Sequence, residues 1–275
     1  MIFRHIRDWD DAYANGPNIP GGDRWPDAWV EPAATFRRNL EQAERAEIDV
    51  AYGSGERNRL DLFKPEGEPV GLVVFVHGGY WRALDKSFWS HLAGGALAHG
   101  YAVAMPSYTL CPTNSIAGIT REIAAAITHA AGLVQGPIRL TGHSAGGHLV
   151  ARMVSATSPL SQALQQRIAH TVPLSGLHDL RPLRRTQMND ALRLDEAEAA
   201  SESPALLAPI EGARVTCWVG GGERAEFLRQ SELLANIWVG LGAQTAYVAE
   251  PDRHHFNVID GLADPDHPLT QTLLG

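Results

Sequence analysis

Three observations predict an α/β fold: apolar β-branched runs alternate with helix-like segments, a glycine-flanked serine stands where one such run meets a helix, and the 275-residue chain is 44% hydrophobic. The expected architecture is a mostly parallel, doubly wound sheet with helices on both faces and a small helical lid insertion. Strand-helix-strand units close with a right-handed crossover, which leaves few alternative topologies. At this length one domain spanning residues 1–275 is expected to bury its own core.

The elements follow in order. Residues 1–45 are rich in Trp, Pro, Gly and charge and read as an arm or short helices laid over the domain. Residues 47–52 and 59–63 alternate as an antiparallel pair joined through Gly53-Ser54-Gly55. Residues 70–76 form a continuous apolar run, as expected for a strand buried on both faces, and lead straight into His77-Gly78-Gly79-Tyr80-Trp81. A helix over 87–99, a strand over 101–106, a helix over 116–132, a strand over 138–141, a helix over 145–155 and a strand over 171–174 come next. The polar stretch from about 179 to 209 is the natural lid. Strands over 214–219 and 244–248, each followed by helix-like sequence, complete the pattern.

Gly142-His143-Ser144-Ala145-Gly146 has the form of a nucleophile elbow, in which a serine sits on a sharp strand-to-helix turn and its neighbours must be small. Ser144 is the candidate nucleophile. In enzymes built this way, the N–H of the residue after the nucleophile joins N–H groups of the loop after an earlier strand to hold a developing oxyanion. Those donors would be Ala145 with Gly79 and Tyr80, or Gly78. Chain order then requires an acid and a histidine downstream. Glu223, after Gly220-Gly221-Gly222 at the end of a strand, is the candidate acid, with Glu226, Asp179 and Asp195 as competitors. The base must come from the loop holding His254 and His255. His77 and His143 flank tight turns and are expected to brace them.

Other chemistries lack their signatures. No H-E-x-x-H occurs, and Cys111 and Cys217 lie far apart, so neither a metal nor another cofactor is expected. No G-x-G-x-x-G follows a strand and there is no Walker sequence, which leaves nucleotide chemistry without support. The net charge of −8 argues against nucleic acid or an anionic membrane as partner; a small-molecule substrate is expected, with a homodimer possible. Charge throughout residues 1–8, no long apolar run and only 2 cysteines suggest a cytoplasmic protein without a signal peptide.

The loop His77-Gly78-Gly79-Tyr80-Trp81, the elbow, the phrase Glu223-Arg224-Ala225-Glu226-Phe227-Leu228-Arg229-Gln230-Ser231 and the pair His255-Phe256 together resemble the α/β-hydrolase arylformamidases, also called kynurenine formamidases. The likeness spans roughly residues 60–260. Its H-G-G-x-W loop is more specific than the elbow, since related lipases and esterases usually carry H-G-G-G. The resemblance implies that Glu223, just before the x-x-E-F-x-R-Q-S phrase, is the triad acid, and that His255, directly before a phenylalanine, is the base. The chain departs from the family in carrying Glu where Asp is common, and in the added neighbour His254. The implied reaction is hydrolysis of N-formyl-L-kynurenine to L-kynurenine and formate, with Tyr80 and Trp81 flanking the aromatic leaving group or Trp81 packing against the lid. A carboxylesterase acting on short acyl esters and a non-catalytic ligand-binding homologue are the alternatives.

Overall fold

The apolar runs pair into one eight-stranded sheet in the computed structural model, which describes residues 5–275; Met1–Arg4, half of the charged N-terminus read above, lie outside the described residues. The strands are β1 (Ala46–Ala51), β2 (Arg59–Phe63), β3 (Gly71–Val76), β4 (Tyr101–Pro106), β5 (Ile138–His143), β6 (Ile168–Leu174), β7 (Arg214–Gly220) and β8 (Gln244–Glu250). Their order is β1-β2-β4-β3-β5-β6-β7-β8. β2 runs antiparallel to both β1 and β4, and every later pairing is parallel. This is the predicted mostly parallel sheet.

Ten helices accompany it among the described residues: α1 (Trp9–Tyr13), α2 (Trp25–Gln42), α3 (Gly94–Ala98), α4 (Ile116–Leu133), α5 (Ala145–Met153), α6 (Gln162–Gln165), α7 (Asn189–Leu192), α8 (Glu196–Ser201), α9 (Ala225–Val239) and α10 (Pro268–Leu274). β3 explains why helices must cover both faces. Its six residues are all buried, and successive side chains alternate between two cores. Leu72, Val74 and Val76 join α4, α5 and α9 in one; Val73 and Phe75 join Trp29, Trp89 and α10 in the other.

Two segments depart from their expected form. The Pro-containing N-terminal region holds α2, an 18-residue helix rather than short pieces. Pro26 falls in its first turn, where no N–H is needed, and Trp29, Ala33 and Leu40 bury one face, which outweighs the hydrogen bond lost at Pro32. Conversely, residues 87–99 do not form one helix. A 3₁₀ stretch over Lys86–Ala93 breaks at Trp89 (φ −131°) before α3 begins. Trp89 is fully buried against Trp29 and Phe88, so tertiary packing of the indole overrides local helical preference.

The insertion at 179–209 is less polar in its packing than in its composition. Leu180, Leu183, Leu192, Leu194 and Ala199 are buried in the α4–α5–α9 core. Glu202 accepts from Thr120 Oγ1 (2.7 Å) and Arg152 Nε (3.1 Å), and the Trp238 indole donates to Leu207 O (2.9 Å). Among the described residues, no helix is long and apolar enough to cross a membrane.

Several histidines are structural, with a measurable consequence. Burial holds His77 and His170 down to about 4, and His148 and His178 down to about 3, against 6.5 for a free imidazole. Between pH 6.5 and about 4 the unfolded chain therefore binds protons that the folded chain refuses, and stability falls as pH falls through that window. The Asp61 and Asp260 carboxyls, raised by burial, oppose this, whereas His91, His143 and His254, also lowered by burial, add to the loss. The urea midpoint is expected to be lower at pH 5 than at pH 7; an equal or higher midpoint at pH 5 would contradict this account.

Candidate active site

The site begins at the β5–α5 junction. Ser144 occupies φ 56°, ψ −114°, a strained conformation for a residue with a side chain, and this projects it from the sheet's C-terminal edge. The turn closes only because its flanks are glycine. A Cβ on Gly142 would lie 2.5 Å from Gly146 O, and one on Gly146 only 1.9 Å from Val76 O. Ser144 N donates to Leu174 O (2.8 Å), which pins the elbow to β6.

The loop after β8 brings His255 alongside. Its Nδ1 lies 2.6 Å from Glu223 Oε2, and both side chains are buried. Glu223's other oxygen accepts from Gly220 N (2.8 Å) and Ser175 Oγ (2.5 Å). The longer glutamate reaches because Glu223 N closes a tight turn onto Gly220 O (3.1 Å) and its side chain folds back over that turn. The His143 Nε2–H donates to His255 O (2.8 Å), latching the histidine loop to the elbow. Burial and then the neighbouring His255 hold the His143 imidazole well below its usual pKa, so it donates as a neutral ring.

The competitors are occupied elsewhere. Glu226 accepts from Tyr13 Oη (2.8 Å) and Arg229 Nη2 (2.8 Å), tying α1 to α9. Asp179 pairs with Arg181, and Asp195 caps α8. His254 turns away: its ring meets Trp25 edge-on at 5.1 Å, and its Nδ1 accepts from Phe256 N (3.2 Å).

The loop after β3 crosses the elbow, with Gly78 packed against it so closely that a Cβ there would lie 3.1 Å from Ser144 Cβ. Gly79 (φ 102°), Tyr80 (φ 50°) and Trp81 (φ 56°) are all left-handed, a concentration of strain at one loop. The loop is braced from outside. His77 Nδ1 donates to Gly78 O (2.7 Å), and Tyr108, stacked on His77 at 4.3 Å, donates to His77 O (3.1 Å). No acceptor among the described residues engages the N–H groups of Gly79, Tyr80 or Ala145.

A cavity of about 350 Å³ opens beside these groups, lined by Ser144, His143, His255, Gly79 and Tyr80. Its walls are aromatic: Tyr13, Trp29, Trp89 and Phe256, with Met188 the one contribution from the 179–209 insertion. Most of the cover comes instead from α1, the turn after it and α2. The expectation that Trp81 binds substrate is corrected. Its side chain is wholly buried, edge-on to His148 at 5.1 Å, because the left-handed turn sends consecutive Tyr80 and Trp81 to opposite sides of the loop, one to the cavity and one to the core. Sequence reading also missed Ser175, whose only signal is its position directly after β6, and the cavity-lining residues of the N-terminal arm. Among the described residues, no group of three or more His, Cys, Asp or Glu side chains is placed to hold a metal ion.

The BD-FAE family model matches residues 60–206, which carry β2, the Gly-Gly loop and the elbow. The kynurenine formamidase of Danio rerio is 30% identical over 241 residues, covering 82% of this chain and 80% of that protein. The chain belongs to the kynurenine formamidase family. The Salmo salar member is 31% identical over 242 residues, with the same coverage of 82% and 80%. A solved structure from Silicibacter sp. TM1040, described as a "putative thioesterase", superimposes with a TM-score of 0.93 at 50% identity over 98% of this chain and 99% of that one. The esterase of Pyrobaculum calidifontis shares the fold, with a TM-score of 0.73 at 16% identity over 92% and 90% of the two chains. This family member is thus an α/β hydrolase acting on a formamide or ester bond.

Proposed function

We propose that the protein cleaves an aryl formamide, N-formyl-L-kynurenine, to L-kynurenine and formate through a formyl-serine intermediate on Ser144. The observation that carries this reading is the joint placement of Ser144 and His255 on a cavity whose walls are aromatic and whose size lies within the range of small-molecule sites, about 300–1,000 Å³. A flat aniline leaving group fits such walls.

In this mechanism His255 takes the Ser144 hydroxyl proton as Oγ attacks the formyl carbon, and Glu223 holds the resulting imidazolium in place through Nδ1. The carbonyl oxygen gains the charge and is met by the unengaged N–H groups of Ala145, Gly79 and Tyr80, with Gly78 lying against the elbow. His255 returns the proton to the anilide nitrogen, the C–N bond breaks and L-kynurenine departs. Water then attacks the formyl-serine, giving its proton to His255, and formate leaves as Ser144 is reprotonated. The hard step is leaving-group protonation, for which a buried, carboxylate-oriented imidazole is suited.

The name carried by the Silicibacter structure favours a second reading, in which the same residues cleave a thioester or ester. Incubation with N-formyl-L-kynurenine separates the two: equimolar formate and L-kynurenine are expected, and no turnover of the formamide would refute the proposal. Glu223→Gln is expected to lower kcat/KM by about 10³- to 10⁴-fold, because an amide cannot stabilise the imidazolium. Glu226→Gln, acting only through the contacts to Tyr13 and Arg229, is expected to cost less than about tenfold, and steady-state kinetics of the two variants check the assignment.

A further inference from the structure

The cavity that the proposed formamidase reading fills with an aryl group carries, besides its histidines, two charged side chains of opposite sign, Asp10 and Arg82. Neither is accounted for by the chemistry at Ser144. Arg82 is exposed and makes no ion pair or side-chain hydrogen bond among the described residues. Its backbone is nonetheless fixed, since Arg82 N donates to Gly79 O (3.0 Å). Asp10 is half-buried; its Oδ1 accepts from Gln187 N (2.7 Å), which leaves Oδ2 without a partner among the described residues.

The two charges sit on segments joined beside the cavity. Tyr80, two residues before Arg82, donates through its hydroxyl to Tyr13 O (2.6 Å), and Asp10 stands one helical turn before Tyr13 in α1. Burial holds the proton on the Tyr80 hydroxyl, which keeps it a donor. Tyr13 is in turn bound to Glu226 (2.8 Å), so α1 and the Gly-Gly loop are anchored as one wall. An aromatic cavity edged by one unpaired cation and one half-engaged anion is complementary to an aryl substrate ending in a zwitterion.

We propose that Arg82 and Asp10 form a recognition site for the α-amino acid head of the substrate, Arg82 engaging the carboxylate and Asp10 Oδ2 the ammonium. This rests on the aryl formamidase reading and deepens it, because it selects amino-acid aryl formamides over neutral ones. The two residues act on binding and orientation and take no part in bond breaking.

The test compares N-formyl-L-kynurenine with 2′-formamidoacetophenone, which keeps the formanilide and its ortho ketone but lacks the amino acid head. The wild-type protein is expected to prefer N-formyl-L-kynurenine in kcat/KM. Arg82→Met and Asp10→Asn are each expected to reduce that preference by about tenfold, mainly through KM, and Arg82→Lys to restore part of it. Asn at position 10 keeps an oxygen for Gln187 N, so the fold of α1 is preserved. A preference unchanged in both variants, with formamides still cleaved, would overturn this proposal and leave the function standing. Failure of the wild type to cleave either formamide would overturn both.

Discussion

Replacing Ser144 with alanine is expected to lower kcat/KM by about 10⁴- to 10⁶-fold while leaving the fold intact. The size follows from the proposed mechanism, in which without Oγ no covalent intermediate forms and the remaining groups can only bind substrate and polarise its carbonyl. The intact fold follows from the structure. The Ser144 side chain caps nothing at the start of α5, and the elbow is held by backbone contacts and by its flanking glycines. A fluorophosphonate probe should label the wild-type protein at Ser144 and leave Ser144→Ala unlabelled. Equal labelling of both, or a variant that retains turnover, would show that another residue is the nucleophile.

The second large effect is expected at His255, with His254 as its internal control. His255→Ala should cost about 10⁴- to 10⁶-fold in kcat/KM, as removal of the proposed proton carrier would disable both acylation and deacylation. His254→Ala should stay within about threefold, because its ring faces Trp25 and supports only the local turn. The adjacent positions make the comparison clean: both variants alter the same loop, and only one loses the contact to Glu223. Steady-state kinetics with melting curves for both variants check this. Reversed phenotypes would move the base to His254 and dissolve the assignment of Glu223.

The fold was legible because parallel strands buried on both faces must be continuously apolar, and β3 announces itself in that way. The elbow was legible for steric reasons, as Gly142 and Gly146 leave no room for a Cβ. What local pattern could not convey is direction. Tyr80 and Trp81 are neighbours of similar chemistry, yet one lines the cavity and the other is sealed in the core; the left-handed turn that separates them has no signature beyond the preceding glycines. The cover was misplaced for a related reason. The N-terminal arm, with its prolines and tryptophans, lacks the periodicity of a core element, but its aromatic side chains are large enough to wall a cavity from outside the sheet. Conversely, the polar composition of residues 179–209 concealed leucines that anchor it to the core.

The most direct test is a side-by-side measurement of kcat/KM on N-formyl-L-kynurenine, a short acyl thioester and p-nitrophenyl acetate, using wild-type protein and Ser144→Ala. The account predicts a value above about 10⁴ M⁻¹s⁻¹ on the formamide, at least about tenfold above the ester and thioester, and lost in the variant. Efficient ester or thioester cleavage without formamide turnover would contradict it.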